Sequence, residues 1–197
     1  MTSTALLIMD VQQGIVDRFS SEPGYLAGLG SAIMAARDAG IAVIYVTVGF
    51  RAGYPEVSPR NKIFGAIAAR AGSPADGDAG RAVHPAVAPA PGEVIVTKRR
   101  VSAFAGSDLE VVLRAQGIGH LVLAGIATSG VVLSTVRLAA DLDYQLTVLA
   151  DGCLDADPEV HRVLTGKVFP RQAEVTSIAD WTASLRWPGA YPAAGRG

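Results

Sequence analysis

The chain has 197 residues, with 17 Lys and Arg against 18 Asp and Glu and a formal net charge of −1. This length is typical of one domain that buries about 70% of the surface of its unfolded chain, and the balanced charge argues against nucleic acid or an anionic membrane as the main partner. The lone cysteine, Cys153, excludes an internal disulfide, and no Cys/His cluster has zinc-ligand spacing.

No segment of the sequence has the length and composition of a membrane span or a secretion signal. The apolar run at residues 5–9 ends at Asp10 and is too short for a signal-peptide core. The longest uncharged stretch, between His120 and Arg137, contains Thr, Ser and Gly and falls short of a membrane span. We therefore expect a cytoplasmic protein without a membrane partner.

Five short apolar runs, taken in chain order, predict the strands of a sheet. None of them alternates apolar with polar residues, which indicates strands buried on both faces, as in a parallel sheet covered by helices. A sixth, shorter strand is expected near 173–177. The runs are "ALLIM" (5–9), "IAVIYVTV" (41–48), "EVIVT" (93–97), "HLVLAG" (120–125) and "QLTVLA" (145–150).

Helix signals lie between these runs. Residues 25–39 have helical apolar spacing and stop at Gly40, a favourable residue after a helix end. In "SDLE" (107–110), a capping box would pair the Ser107 hydroxyl with the amide of Glu110. In "DPEVHRVL", Asp157 is the expected N-cap and Pro158 the first helical residue.

Further helices are expected at 60–71 and 178–185. The alternation of strands and helices predicts an α/β fold with right-handed crossovers and helices on both faces of a mainly parallel sheet. We expect residues 1–185 to form a single domain and 186–197 a Pro/Gly-rich tail. Residues 49–92, rich in Gly, Pro and Ala, break the alternation, and such long segments usually serve as a lid or an oligomer contact.

Two charged residues stand where predicted strands end. Asp10 follows the first strand and Lys98 follows the third, and ligands of open parallel sheets bind outside the carboxyl ends of the strands. Proximity of the two would favour their charged forms, while burial would favour the neutral ones, and this competition suits proton exchange near neutral pH. The alternative is that Asp10 only caps the turn after its strand.

Three motifs, in the same order along the chain, resemble those of the isochorismatase-like hydrolase superfamily, whose fold is also called the cysteine hydrolase fold. They are "LLIMDVQ", "VTKRRVSAFAGSDL" and "LVLAGIATSGVVLSTVRLAADLDYQLTVLADGC", and the similarity runs from about residue 4 to residue 180. The resemblance implies a three-layer Rossmann-like fold with strand order 3-2-1-4-5-6 and a homodimer or homotetramer. It also implies an Asp–Lys–Cys triad, in which Asp10 and Lys98 match the aspartate and the lysine.

The family's nucleophilic cysteine falls on Val131, which has no atom able to attack a carbonyl carbon. An acyl-enzyme at this position is therefore excluded. The resemblance also implies a cis peptide at Ile126–Ala127, which turns the amides of Ala127 and Val131 toward an oxyanion hole. The isochorismatases proper likewise lack the cysteine, and they cleave a vinyl ether with the aspartate as proton donor and water as nucleophile.

Two other residues could replace the missing nucleophile. Cys153 follows the fifth predicted strand, although a lone cysteine there is typical of a small core residue. Ser129 lies in a strand–turn–helix junction, but it lacks the flanking glycines of a nucleophile elbow. The three histidines, His84, His120 and His161, are poorly placed to act as its base, so Ser129 is expected to bind substrate or cap its helix.

Further residues are expected to shape the site. Phe19, Phe104, Thr128 and Ser129 are predicted substrate contacts, and Phe50 and Tyr54 lie in loops that could cover the pocket. A carboxylated substrate could pair with Arg51, Arg99 or Arg100, whose alternative role is a surface or subunit contact. Relatives that bind a metal use an Asp-x-His motif after the second strand, where this chain has "GFRAGYPEV", so we predict neither a metal nor another cofactor.

Three hypotheses for function follow. The first is a small-molecule hydrolase that cleaves an ether or vinyl ether with Asp10 as acid and Lys98 as its electrostatic partner. The second is an inactive member of the family that acts as a binding or scaffolding protein. The third is an amide hydrolase that uses another nucleophile, such as Cys153.

Overall fold

The computed structural model describes residues 3–19, 24–70 and 81–186, and within them each predicted apolar run forms a strand. The six strands form one parallel sheet in the order β3-β2-β1-β4-β5-β6, which confirms the predicted topology. The strands are β1 (Ser3–Met9), β2 (Ala42–Val48), β3 (Val94–Lys98), β4 (Ile118–Ile126), β5 (Gln145–Leu154) and β6 (Glu174–Thr176).

Helices cover both faces of this sheet, and the crossovers between strands contain most of them. They are α1 (Gln13–Val16), α2 (Tyr25–Asp38), α3 (Lys62–Arg70), α4 (Leu109–Ala115), α5 (Leu133–Asp141), α6 (Pro158–Val163) and α7 (Ile178–Arg186). Short 3₁₀ turns occur at Asp17–Phe19, Pro85–Val87 and Phe169–Arg171, and π-helical turns occur at Thr128–Val132 and Leu164–Val168.

The core consists of two apolar clusters, one on each face of the sheet. In β1, Leu7 and Met9 belong to the cluster that packs under α4 and α5, while Leu6 and Ile8 belong to the cluster under α2 and α7. Because successive side chains of a strand point to opposite faces, a strand covered on both sides must be apolar throughout. This explains why the runs do not alternate.

Some predicted boundaries need correction. The sequence predicts β5 at 145–150, but the strand continues to Leu154 because Cys153 and Leu154 pair with Gly125 and Ile126 of β4, past a register shift. The capping box of α4 is wrong. The helix begins at Leu109, the Ser107 hydroxyl accepts from the Leu109 amide (3.3 Å), and Glu110 pairs with Arg114 four residues later instead.

Other helix ends match the sequence signals. α2 stops just before Gly40, whose φ of +68° lies in the left-handed region that glycine adopts readily. Asp157 caps α6, since its carboxylate accepts from the amides of Glu159 and Val160.

In the described ranges no helix is long and apolar enough to cross a membrane. The predicted tail, 186–197, lies outside the described residues except for Arg186.

Candidate active site

Asp10 and Lys98 meet at the carboxyl end of the sheet. Asp10 follows the last residue of β1, Lys98 ends β3, and β2 lies between the two strands. The Lys98 Nζ lies 2.9 Å from Asp10 Oδ2 and donates a second hydrogen bond to the Arg100 carbonyl oxygen at 3.0 Å. The two residues are only 6% and 2% exposed, so the ion pair is almost completely shielded from water.

The Asp10 carboxyl has the properties of a proton-transfer group. Burial raises its pKa to about 6, although the charge and the hydrogen bond of Lys98 act in the opposite direction. Its second oxygen, Oδ1, is buried and has no hydrogen-bond partner among the described residues. The backbone at Asp10 also has φ = +56°, a conformation that non-glycine residues rarely adopt and that is common at functional sites.

The turn after β4 lies beside β1. Gly125 pairs with Met9, and a Cβ built on Gly125 would lie 2.1 Å from the Met9 carbonyl oxygen, so only glycine permits this approach. The next peptide bond, Ile126–Ala127, is cis. The Ala127 carbonyl oxygen then accepts from the amides of Gly130 (3.0 Å) and Val132 (3.3 Å).

Val131 lies in the core and is 2% exposed. Its isopropyl group offers no attacking atom, so the junction after β4 lacks a nucleophile at the position where the resemblance places one. The expected use of the Ala127 and Val131 amides as oxyanion donors remains a prediction.

Residues after β5 hold this turn from outside. The Ser129 amide donates to Asp155 Oδ2 at 2.7 Å, and Thr128 Oγ1 lies 2.8 Å from His161 Nδ1. His161 thus contacts Thr128, because α6 packs against the π-helical turn. Substrate contacts by Thr128, which is fully buried, and by Ser129 remain predictions.

Gln12 anchors the end of the irregular segment 49–92 beside Asp10. Its side-chain amide donates to the carbonyl oxygens of Val48 (3.1 Å) and Arg81 (2.7 Å) and accepts from the Val48 amide (2.8 Å). Gln12 also forms an antiparallel bridge with Val83. The backbone just before this segment, at Val48, and its later part, at Arg81 and Val83, are thus held at the end of β1. Gln12 has no charge, so its position after β1 gave no sequence signal of this role.

Two adjoining cavities lie at the same edge of the sheet as Asp10. The larger, about 480 Å³, is lined by residues that include Cys153, Asp155 and His161, and the smaller, about 260 Å³, is lined by residues that include Phe19 and His84. Tyr25 and Leu154 line both cavities. Leu154 pairs with Ile126, the residue after Gly125, and Gly125 pairs with Met9. The side of the cavities formed by Leu154 is therefore level with the end of β1. Asp10 and Lys98 line neither cavity, and a substrate contact by Phe19 stays a prediction.

The three arginines fasten a loop to the sheet edge. Arg51 and Arg99 pair with the Glu56 carboxylate at 3.5 and 3.2 Å, and Arg100 donates to the Glu56 carbonyl oxygen. Burial acts to raise the pKa of the Glu56 carboxyl, but hydrogen bonds from the backbone amides of Arg51 and Glu56 and the charges of Arg51 and Arg99 hold this pKa below its usual range. Their cavity, about 670 Å³, is lined by Thr97 rather than Lys98, so it is separate from the Asp10 pair.

The remaining predicted residues are spread over the molecule. The Phe104 ring packs against Tyr144 with centroids 5.9 Å apart, so a substrate contact by Phe104 stays a prediction. Phe50 packs against Tyr54 and Phe64 at 5.6 and 5.2 Å, which gives the loop after β2 a small core of its own. Among residues 3–19, 24–70 and 81–186, no group of three His, Cys, Asp or Glu side chains is arranged to hold a metal ion.

Cys153 does not have the environment of a reactive thiol. It is 1% exposed, and burial raises its pKa to about 12. We expect Cys153→Ala to keep turnover within about two-fold, with a stability loss of about 1 kcal/mol for the lost sulfur contacts. We also expect the folded wild type to resist alkylation by iodoacetamide. Kinetics and mass spectrometry test both, and inactivation that follows labelling of Cys153 would contradict this expectation.

The chain is similar to known proteins over most of its length. The family model described as the isochorismatase domain matches residues 4–180. The ureidoacrylate amidohydrolase RutB of Stutzerimonas stutzeri (strain A1501) is 35% identical over an alignment 208 residues long, which spans 93% of this chain and 80% of that protein. The uncharacterized isochorismatase family protein YecD of Escherichia coli O157:H7 is 32% identical, over 90% of this chain and 94% of that protein.

Solved structures agree with these sequence matches. An isochorismatase family protein from Burkholderia thailandensis has a TM-score of 0.74 at 29% identity, covering 93% of this chain and 96% of that chain. The N-carbamoylsarcosine amidase from Thermoplasma acidophilum has a TM-score of 0.71 at 26% identity, covering 89% and 96%. By sequence and by fold, this chain belongs to the isochorismatase family of hydrolases.

Proposed function

We propose that this hydrolase cleaves an ether or enol-ether bond in a small organic substrate, with Asp10 as proton donor and water as nucleophile. The observation that carries the proposal is the buried Asp10 carboxyl, whose Oδ1 has no partner in the described structure and whose pKa is raised to about 6. Such a group is protonated for part of the time near neutral pH. Because the resemblance places Val131, which has no attacking atom, at the nucleophile position, water is the proposed source of the oxygen.

The proposed steps balance without any other group. The Asp10 carboxyl gives its proton to the terminal alkene carbon of the enol ether, which leaves an oxocarbenium ion. Water adds to the carbon of this ion and returns a proton to the Asp10 carboxylate, and the resulting hemiketal collapses to a ketone and an alcohol. Lys98, 2.9 Å from Asp10 Oδ2, stabilises the carboxylate that forms when the proton leaves.

A second candidate is amide hydrolysis, which the printed names of the relatives favour. RutB from Stutzerimonas stutzeri is named a ureidoacrylate amidohydrolase, and the Thermoplasma acidophilum neighbour is named an N-carbamoylsarcosine amidase. In this chain Asp10 would then act as a base toward water, and the tetrahedral intermediate would carry negative charge. The two candidates therefore need opposite protonation states of Asp10.

The test is a panel of enol ethers, including isochorismate, beside a panel of ureido and carbamoyl amides. Reactions in deuterated water and in oxygen-labelled water identify which bond of the substrate is cleaved. Cleavage of an enol ether places deuterium on the former alkene carbon and the labelled oxygen in the ketone. Turnover of amides alone would favour the second candidate. No turnover of either panel, with Cys153→Ala and wild type alike, would overturn the proposed function and favour a binding protein.

A further inference from the structure

We propose that Asp155 is a positioning residue of this site, holding the turn after β4 and making that turn electrostatically suited to a substrate that becomes cationic. The inference rests on the proposed function and deepens it, because an oxocarbenium ion is positive whereas the intermediate of amide hydrolysis is negative. Asp155 lies directly after β5 and lines the cavity of about 480 Å³.

The contacts of Asp155 show how it holds the turn. Its Oδ2 accepts from the Ser129 amide at 2.7 Å, and its Oδ1 accepts from the Asp157 amide at 3.3 Å. These hydrogen bonds hold the pKa of Asp155 below its ordinary value, although partial burial acts to raise it. The carboxylate is therefore charged at neutral pH, and a charge-assisted hydrogen bond of this length is among the stronger ones in proteins.

A second contact holds the buried side of the same turn. The hydroxyl of Thr128, which is fully buried, lies 2.8 Å from His161 Nδ1. His161 follows Asp157, the cap of α6, by four residues, so the cap fixes the helix that carries the imidazole. The turn is thus held at two successive residues, by Asp155 at Ser129 and by His161 at Thr128.

The position of this turn matters for Asp10 because the two backbones are adjacent. Met9 pairs with Gly125, so Asp10 is level with Ile126, and the turn begins at the next residues. Strands lie about 4.8 Å apart in a sheet. A shift of the turn would therefore change the space beside the Asp10 carboxyl, where the substrate must lie in the proposed reaction.

The charge of Asp155 has a second effect. The Asp155 carboxylate accepts the hydrogen bond of the Ser129 amide, so this amide is not free to bind negative charge on a substrate. β4 lies between β5 and β1, so the backbones at the ends of these two strands are separated by two strand spacings, about 10 Å, and at this distance the charge of Asp155 still acts in a partly buried site. Negative charge at this distance stabilises an oxocarbenium ion and disfavours an oxyanion.

The test compares Asp155→Asn, which removes the charge but keeps an acceptor, with Asp155→Ala, which removes both. In about 20 mM salt we expect Asp155→Asn to lower kcat/KM on an enol ether about five-fold with KM little changed, and about 500 mM salt to narrow this gap to about two-fold. Glu159→Gln, which makes the same charge change four residues further along at a side chain that is 80% exposed, should lower kcat/KM less than two-fold.

Hydrogen exchange measures how firmly Asp155 holds the Ser129 amide, and it needs no substrate. We expect the Ser129 amide to exchange at least ten-fold faster in Asp155→Ala than in wild type, with amides in the centre of β4 unchanged. If the Ser129 amide exchanged at the wild-type rate in Asp155→Ala, Asp155 would not hold the turn. If kcat/KM at low salt were unaltered in Asp155→Asn, the charge of Asp155 would have no electrostatic role. If the wild type turned over no substrate, the proposed function would be refuted, while exchange at the Ser129 amide would still test whether Asp155 holds the turn.

Discussion

Replacing Asp10 by Asn should lower kcat/KM by about 10³ and remove the dependence of the rate on pH near 6, because Asn keeps the shape of the carboxyl but has no proton to give. The expectation follows from the buried carboxyl with an unpartnered Oδ1 and a pKa of about 6. Steady-state kinetics from pH 4 to 9 on an accepted substrate measure both effects. Retention of a tenth or more of the wild-type kcat/KM would contradict a role for Asp10 in proton transfer.

The direction of the wild-type pH profile separates acid from base chemistry. If protonated Asp10 is the active form, kcat/KM is constant below about 6 and falls ten-fold per pH unit above it. If the carboxylate acts as a base toward water, the rate instead falls as the pH drops below about 6. A profile that falls on the alkaline side supports ether cleavage, and one that falls on the acid side supports amide hydrolysis.

The Asn variant leaves Lys98 buried without its counter-charge. Breaking a buried pair by removing one partner costs about 3–5 kcal/mol, so Asp10→Asn alone could lose activity by unfolding. The double variant Asp10→Asn/Lys98→Met removes the uncompensated charge with a side chain of similar volume. We expect it to fold with stability near that of wild type and to stay inactive, and activity in this variant would refute the assigned roles of both residues.

Folding stability reports the same pKa without a substrate. The pKa of Asp10 is raised from 3.8 to about 6 on folding, so between these values the folded state binds more protons than the unfolded state. The contribution of Asp10 to the unfolding free energy is therefore greatest below about pH 4 and falls by about 3 kcal/mol as the pH rises to 6, at 1.36 kcal/mol per unit. Comparing wild type with the double variant isolates this contribution.

The sheet and the charged pair follow from local features of the sequence. Each strand is an apolar run without alternation, and the parallel topology places the ends of β1 and β3 at one edge, so Asp10 and Lys98 could be found from their positions alone. The Asp157–Pro158 cap likewise marks the start of α6 by local chemistry. These features depend on neighbours in sequence or on the topology of the fold.

The contacts that hold the turn after β4 could not be found in this way. Asp155 and Ser129 are 26 residues apart, and Thr128 and His161 are 33 apart, so both contacts depend on how α6 packs after β5. The extension of β5 to Leu154 depends in turn on its pairing with the end of β4. One signal was available, since a helix capped at Asp157 begins close to the strand end and thus brings His161 back toward that edge.

The close approach of β1 and β4 depends on Gly125, and we expect Gly125→Ala to prevent stable folding, with a loss above about 4 kcal/mol. Gly125 has φ = +151°, and an added Cβ would lie 2.1 Å from the Met9 carbonyl oxygen and 2.9 Å from the Met9 carbonyl carbon. Because both atoms belong to the backbone of a buried central strand, neither can move without separating the strands. The measurement is the urea unfolding midpoint together with the soluble yield.

Gly30→Ala is the matched control, because Gly30 lies inside α2 and a Cβ there would meet no atom within 4 Å. Alanine is favoured over glycine in a helix interior, so this variant should gain about 0.5–1 kcal/mol. A Gly125→Ala protein with a wild-type unfolding midpoint would show that β1 and β4 need not approach so closely. The turn after β4 would then not be fixed beside Asp10, and holding it through Asp155 and His161 could not control the space in which a substrate meets the carboxyl.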